Sequence, residues 1–312
     1  MKPVVLQICG LPPAMVATLQ SEYDLHRLPD GGAAGAWLAE HGAGVRGLVT
    51  GGHLGVPEHL WDLLPGLQMV GINGVGYDKV DLARAKAQGV QVSNTPGVLT
   101  EDVADLAIGL LIACLRAIPQ ADRFVRDGRW GRDDWPLATK VSGRRVGIVG
   151  MGRIGRAIAR RMEGFDAVLA YTDVAPVDVP YAFHPDPVAL AAASEVLVVA
   201  ASASPATRHL IGRAALDALG PRGTLVNVAR GSLVDEEALV AALQAGTLGR
   251  AALDVFADEP HVPEALRAMP QVVLTPHIAS ATAETRAAMA DLVLGNLRAF
   301  FAGQALLTPV GG

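Results

Sequence analysis

The sequence of 312 residues predicts an α/β protein of two doubly wound parallel-sheet domains, one inserted into the other. Three observations carry that prediction. Short apolar runs alternate with helical patterns along the chain, which is how parallel β-α units read. Two long helical patterns, near 100–123 and 281–302, bracket the middle of the chain. A glycine-rich turn at 150–155 joins an apolar run to a helical pattern.

From the N-terminus, Val4–Cys9, Gly47–Thr50, Gln68–Ile72 and Val90–Ser93 read as strands. Helical patterns near 12–21, 32–41, 57–64 and 78–88 lie between them, with glycine and proline marking the turns. The pattern from Thr100 to Arg123 places Val103, Leu106, Ala107, Leu110, Leu111 and Cys114 at helical spacing, with acids in its first turn. Arg126 to Trp135 then reads as a loop, its arginines offset by Asp127, Asp133 and Asp134, so a solvated or subunit-contact loop is expected. Strands follow near 195–200, 223–229, 250–255 and 271–275. Asp235-Glu236-Glu237 has the composition of a capped helix start. The last helix, 281–302, gathers Met289, Leu292, Val293, Leu297, Phe300 and Phe301 on one face and is expected to return to the first domain. The predicted division is 1–99 plus 285–312 for one domain and 100–284 for the other.

The stretch 145–173 is the most informative. Val146, Ile148 and Val149 form a buried-strand run that ends in Gly150-Met-Gly152-Arg153-Ile154-Gly155. In this G-x-G-x-x-G spacing the first glycine permits a sharp turn and the second lets backbone approach a pyrophosphate. The third lets the helix pack tightly on the strand. The helix start presents N–H groups and the positive dipole end to phosphate. A second strand, 167–171, delivers Asp173 about 20 residues on, where an acid hydrogen-bonds an adenosine ribose. Strand, glycines, helix, strand and acid in that order predict a Rossmann dinucleotide site.

The totals narrow the class. The chain is 51% apolar and 18% charged, enough to bury large cores. A net charge of −5 gives no reason to expect nucleic acid or an anionic membrane as partner. No apolar run approaches the roughly 20 residues of a membrane span. The opening Met-Lys-Pro-Val-Val-Leu-Gln-Ile-Cys is too short an apolar run for a signal peptide, so cytoplasm is the expectation. Cys9 and Cys114 read as small core residues rather than a disulfide pair. Histidines 26, 41, 53, 59, 184, 209 and 261 show no metal-ligand spacing, and no metal is expected.

Arg230, Glu259 and His277 each fall at or just past the end of a predicted strand, where ligands of open parallel sheets sit. Singly, each could be a surface charge, a turn acid or a loop histidine. Together beside a nicotinamide they form a set able to reduce a 2-keto acid. A guanidinium fork would hold the carboxylate. The imidazole would pass the proton, and a carboxylate would orient it.

The chain resembles the D-isomer-specific 2-hydroxyacid dehydrogenase family over nearly its whole length. The resemblance rests on 146–155, on Asn227-Val-Ala-Arg230-Gly-Ser-Leu-Val-Asp-Glu236, on Leu253-Asp-Val-Phe-Ala-Asp-Glu259-Pro and on Thr275-Pro-His277-Ile-Ala-Ser-Ala-Thr282. It implies that Arg230, Glu259 and His277 are the catalytic residues, and that the outer domain is flavodoxin-like and binds substrate. Gly74, Val75 and Gly76 then match the substrate loop, the N–H groups of Val75 and Gly76 holding the carboxylate. Gly150, Gly152, Arg153, Ile154, Gly155 and Asp173 would hold the pyrophosphate and adenosine ribose. Thr207 would lie beside the adenosine, and Val228 and Ala229 would line the cofactor. Thr100, Asp254 and His277 would face the nicotinamide, Asp254 contacting its amide.

The resemblance is closest to the glyoxylate/hydroxypyruvate reductase branch, from Gly74-Val-Gly-Tyr-Asp78 and Trp135-Pro-Leu137. Many reductases of that branch carry Arg after the second strand to bind the NADP phosphate. Here Tyr171-Thr-Asp173-Val174 offers an acid, and no Lys or Arg occurs from 162 to 207, so NAD(H) is favoured over NADP(H). Ala201-Ser-Ala-Ser204 replaces the family's proline-containing run near the adenine. The implied function is NADH-dependent reduction of small 2-keto acids to D-2-hydroxy acids, in a homodimer formed through the nucleotide domain. Glu259 speaks against the related formate dehydrogenases, which have Gln there. The alternative is an NAD(H)-sensing protein like the family's corepressors.

Overall fold

Apolar runs too short for helices become parallel strands here, and the longer runs between them wrap both faces. The computed structural model describes residues 2–311, which divide into two compact units, 2–99 with 281–311 and 100–280. In chain order the first unit contains β1 (Val4–Gln7), α1 (Pro13–Glu22), β2 (Asp24–Arg27) and α2 (Ala33–His41). It continues with β3 (Val45–Gly51), α3 (Glu58–Leu63), β4 (Met69–Asn73), α4 (Leu82–Ala87) and β5 (Gln91–Ser93).

The second unit opens with α5 (Thr100–Leu115) and α6 (Ile118–Arg126), then β6 (Arg145–Val149), α7 (Arg153–Glu163) and β7 (Val168–Thr172). There follow β8 (Ala182–Phe183), α8 (Pro187–Ala192), β9 (Val196–Val199), α9 (Arg213–Leu219), β10 (Thr224–Asn227) and α10 (Glu236–Ala245). It closes with β11 (Arg250–Leu253), α11 (Glu264–Ala268) and β12 (Val272–Leu274), and α12 (Ala283–Phe301) returns to the first unit.

The first sheet has the order β2-β1-β3-β4-β5, all parallel, which is the flavodoxin-like order. One core holds Leu38, Leu60, Trp61, Leu64 and Ala85 against Leu48, Val70 and Val92. A separate core packs Met15 and Leu19 of α1 and Val293 and Leu297 of α12 on Val5, Val49 and Met69. Truncating such a leucine to alanine costs about 2–5 kcal/mol. The C-terminal segment runs antiparallel beside β5, pairing Pro309 with Ser93, with Val310 N–H on Val92 O.

The second sheet has the order β12-β11-β10-β9-β6-β7-β8, also parallel. That is the Rossmann order with a seventh strand, and it reverses between β6 and β9. Its helix α5 packs on α7, β10 and β11.

The structure departs from the sequence reading in several places. The single helix expected over 100–123 is two, broken at Ala117 (φ 49°) just before Pro119, whose ring cannot sit inside a continuous helix. The helix expected from 78 starts at Leu82, where the Asp81 carboxylate caps the Arg84 N–H. Strands β2 and β8 were not anticipated: Asp-Leu-His-Arg has no apolar alternation, and two residues give no period. The second crossing between units falls at 281 rather than 285, ahead of the α12 N-cap, Thr282. Among the described residues, no helix is long and apolar enough to cross a membrane.

Candidate active site

In the second unit the glycine loop is built as its sequence requires. Gly150 has φ +93°, and a Cβ there would lie 2.6 Å from Ala201 Cα, so only glycine can turn there. A Cβ on Gly155 would lie 2.0 Å from Gly150 O, so the start of α7 is pressed onto the loop. At Gly152 no atom lies within 4 Å of a Cβ position, and no side chain caps the start of α7. Open space thus borders bare helix-terminal N–H groups, the surroundings a pyrophosphate needs. Asp173 stands at the end of β7, its Oδ2 accepting from Met151 N–H at 2.7 Å and its Oδ1 from Val174 N–H at 2.7 Å. The acid is therefore fixed to the glycine loop itself. These residues fit a dinucleotide.

Thr207 closes a capping box, accepting from Ser204 N–H at 2.8 Å and donating to Ser202 O at 3.0 Å. Its hydroxyl shapes the 201–207 loop. Thr100 is the first residue of α5. Val228 is buried and Ala229 half-buried beyond β10.

The ends of β10, β11 and β12 bring three charged groups into one network. Asn227, fully buried, shapes the first loop: its Nδ2 donates to Arg230 O at 3.0 Å and its Oδ1 accepts from Ala229 N–H at 3.1 Å. The half-buried Arg230 donates from Nη1 to Ala229 O. Glu259 lies in the turn past β11, with Oε1 on Phe256 N–H at 3.1 Å and Oε2 on His277 Nδ1 at 2.7 Å. Burial pushes the Glu259 carboxyl up, but the hydrogen bond and charge of His277, the Phe256 N–H and the charge of Arg230 outweigh it. The carboxyl ends below its ordinary value. Arg230, Glu259 and His277 therefore act on one another electrostatically, as three groups from three strand ends.

His277 has φ +53°, the left-handed region, where a non-glycine residue is strained. Asp254 holds it there. The Asp254 side chain has no exposed surface, and three donors converge on it: Thr275 Oγ1 at 2.6 Å and Ile278 N–H at 2.9 Å on Oδ1, and Ala279 N–H at 2.9 Å on Oδ2. Its backbone accepts His277 N–H at 2.9 Å and donates to Asn227 O at 3.0 Å. The residue expected from the family at the nicotinamide amide is thus also the anchor of the histidine loop. Sequence reasoning gave Asn227 and Thr275 no role. Their signals were polarity at the end of an apolar strand and a place at the head of two of the family motifs.

In the first unit, Gly74, Val75 and Gly76 form a loop at the end of β4. Asn94 Nδ2 donates to Val75 O at 2.7 Å, and Thr95 N–H to Gly74 O at 2.9 Å. Thr308 Oγ1 in turn donates to Asn94 O at 2.6 Å, and Thr308 is bonded both ways to the buried Asn296. None of Asn94, Asn296 or Thr308 stood out in the sequence, since their pairing spans 12 to 214 positions. Burial pushes the Cys9 and Cys114 thiols up to about 12, so neither is a nucleophile at neutral pH.

Residues 108–279 match the model of the D-isomer specific 2-hydroxyacid dehydrogenase NAD binding domain. Glyoxylate/hydroxypyruvate reductase A of Arabidopsis thaliana is 47% identical over 98% of this chain and 98% of its own. Hydroxyphenylpyruvate reductase of Plectranthus scutellarioides is 47% identical over the same shares. Among solved structures, an NADPH-dependent glyoxylate/hydroxypyruvate reductase of Sinorhizobium meliloti, in complex with NADP and malonate, superposes with a TM-score of 0.95 at 44% identity. That match covers 100% of this chain and 97% of the other. The chain is an enzyme that belongs to the D-isomer specific 2-hydroxyacid dehydrogenase family, within its glyoxylate/hydroxypyruvate reductase branch.

Proposed function

We propose that this enzyme reduces small 2-keto acids of the glyoxylate or hydroxypyruvate type to D-2-hydroxy acids, using NADH, with His277 as the proton donor. One observation carries the chemistry: His277 Nδ1 lies 2.7 Å from Glu259 Oε2, beside Arg230, at the carboxyl ends of three parallel strands. Glu259 accepts the hydrogen bond of Nδ1–H, which leaves Nε2 as the nitrogen facing substrate. Arg230 grips the substrate carboxylate through its guanidinium fork. When bound, the reduced nicotinamide supplies a hydride to the keto carbon. The keto oxygen takes the Nε2 proton of doubly protonated His277, so charge building on that oxygen is met by imidazolium and guanidinium together. The ring is left neutral, still donating from Nδ1 to Glu259, and regains its proton from solvent.

The 100–280 unit would hold the dinucleotide and the other unit the 74–76 substrate loop. Asp173 supports NADH: its carboxylate would accept from the ribose hydroxyls and repel a 2′-phosphate. Asp254 would act through His277, whatever it also offers the nicotinamide amide. A homodimer through the nucleotide-binding unit is supported by the 124–136 region and its neighbour Leu137. Trp130 is 78% and Leu137 101% exposed there, apolar surface that association would cover.

The test is loss of NADH absorbance with glyoxylate, hydroxypyruvate, pyruvate and phenylpyruvate, repeated with NADPH. Turnover of the small acids with NADH is the expected result. Turnover with NADPH alone overturns the Asp173 argument and leaves the chemistry. Tight NADH binding without turnover replaces the reductase with a sensor.

A further inference from the structure

His277 and Glu259 must keep a 2.7 Å contact although they sit on different segments. The His277 segment is held by Asp254. The Glu259 turn is closed on itself by Phe256 N–H on Glu259 Oε1 at 3.1 Å and by His261 N–H on Asp258 O at 2.7 Å, while Ala257 and Asp258 are exposed. The turn is also fastened from outside. Glu236, the first residue of α10, accepts the Ala257 N–H on Oε2 at 3.2 Å. It is aimed there by its neighbour Asp235, whose carboxylate caps α10 on Ala238 N–H at 3.0 Å. The two segments are also pressed together, for a Cβ on Gly231 would lie 2.0 Å from the Phe256 carbonyl and 2.4 Å from Ala257 N.

We propose that Glu236 is a positioning residue, whose carboxylate fixes the 256–259 turn and so keeps Glu259 on His277 Nδ1. The fastened N–H belongs to Ala257, the residue before Asp258 and two before Glu259. Released, the turn can rotate and lengthen the contact with His277. Burial first, and the charge of Asp258 after it, push the Glu236 carboxyl up, and the Ala257 N–H opposes both. The consequence for rate rests on His277 being the proton donor; the consequence for geometry does not.

Three variants test it. Glu236→Gln keeps an acceptor oxygen at the same reach. Glu236→Ala removes it, and Glu236→Asp keeps the charge but falls one methylene short. The Ala and Asp variants should lose about tenfold in kcat with the NADH KM unchanged, as expected for one lost hydrogen bond. The Gln variant should track the parent, and thermal unfolding should confirm that all three are folded. NMR of the His277 Nδ1–H gives a readout that needs no turnover: its downfield hydrogen-bonded proton signal should weaken in the Ala and Asp variants and persist in Gln. An unchanged Nδ1–H signal in Glu236→Ala, or a Glu236→Gln variant as impaired as Ala, overturns the proposal. A weakened signal in an enzyme that turns over no keto acid would leave the positioning intact and overturn the reductase reading alone.

Discussion

The 74–76 loop beyond β4 and the 275–279 loop beyond β12 are both irregular segments at the carboxyl ends of parallel strands, yet opposite kinds of group hold them. Neutral groups hold the first: the Asn94 amide, the Thr95 N–H, and behind them Thr308 and Asn296. The second is held by the fully buried carboxylate of Asp254, which takes one hydroxyl and two backbone N–H groups. The proposed roles account for the difference. A loop that offers N–H groups to a substrate carboxylate is served badly by a buried negative charge beside it. A loop that must hold its histidine in a left-handed turn gains from one, as an acceptor strong enough to gather several donors.

Asp254→Asn should show the largest effect on this contrast. The amide places a donor where the carboxylate accepted, leaving at least one of the Thr275, Ile278 and Ala279 donors unmatched at about 1–3 kcal/mol each. The left-handed backbone of His277 then loses its support. We expect kcat to fall on the order of 10²-fold, with a smaller change in the NADH dissociation constant. A variant that lost NADH affinity and kept kcat would make Asp254 a cofactor contact and not an anchor.

Glu259→Gln should change the pH profile next most. Because the Glu259 carboxyl lies below its ordinary value, it stays ionised through the usual glutamate range, and the pair fails only as pH falls through that depressed value. Reductase activity in the parent should therefore stay level on the acid side past ordinary glutamate pH. In the Gln variant that acid-side loss should be absent and kcat lower at every pH. A Gln variant with parental kcat in steady-state rates would separate Glu259 from the proton donor.

Asn94→Ala should be milder and of a different kind. Losing a neutral hydrogen bond of about 1 kcal/mol loosens the Val75 peptide without touching the charged set. Keto-acid KM should rise about fivefold while kcat changes less than twofold. Asn94→Asp should do more harm than Asn94→Ala, since it sets a negative charge against the loop. If steady-state kinetics rank the two the other way, the electrostatic contrast between the loops is wrong.

How much of this was legible in the sequence follows from the range of the interactions. The glycine loop could be read because its demands are local: turn, approach and packing fall within six residues, and Asp173 follows one strand later. Arg230, Glu259 and His277 stood out as charged groups at strand ends. Their mutual distances were not legible, nor was the φ of +53° at His277, because these depend on strand order. The anchors were least visible. Asn94 with Thr308 and Asp254 with Ala279 pair across many positions, and no periodicity marks a residue for a partner so far away. The break at Ala117 was accessible, since Pro119 announces it.

The most direct test of the account is single-turnover reduction of hydroxypyruvate by His277→Gln at saturating NADH, with the NADH dissociation constant measured in parallel. The account predicts a rate loss of about 10²–10⁴-fold with NADH binding close to the parent. Near-parental reduction by this variant would contradict it, for the proton would then come from another group.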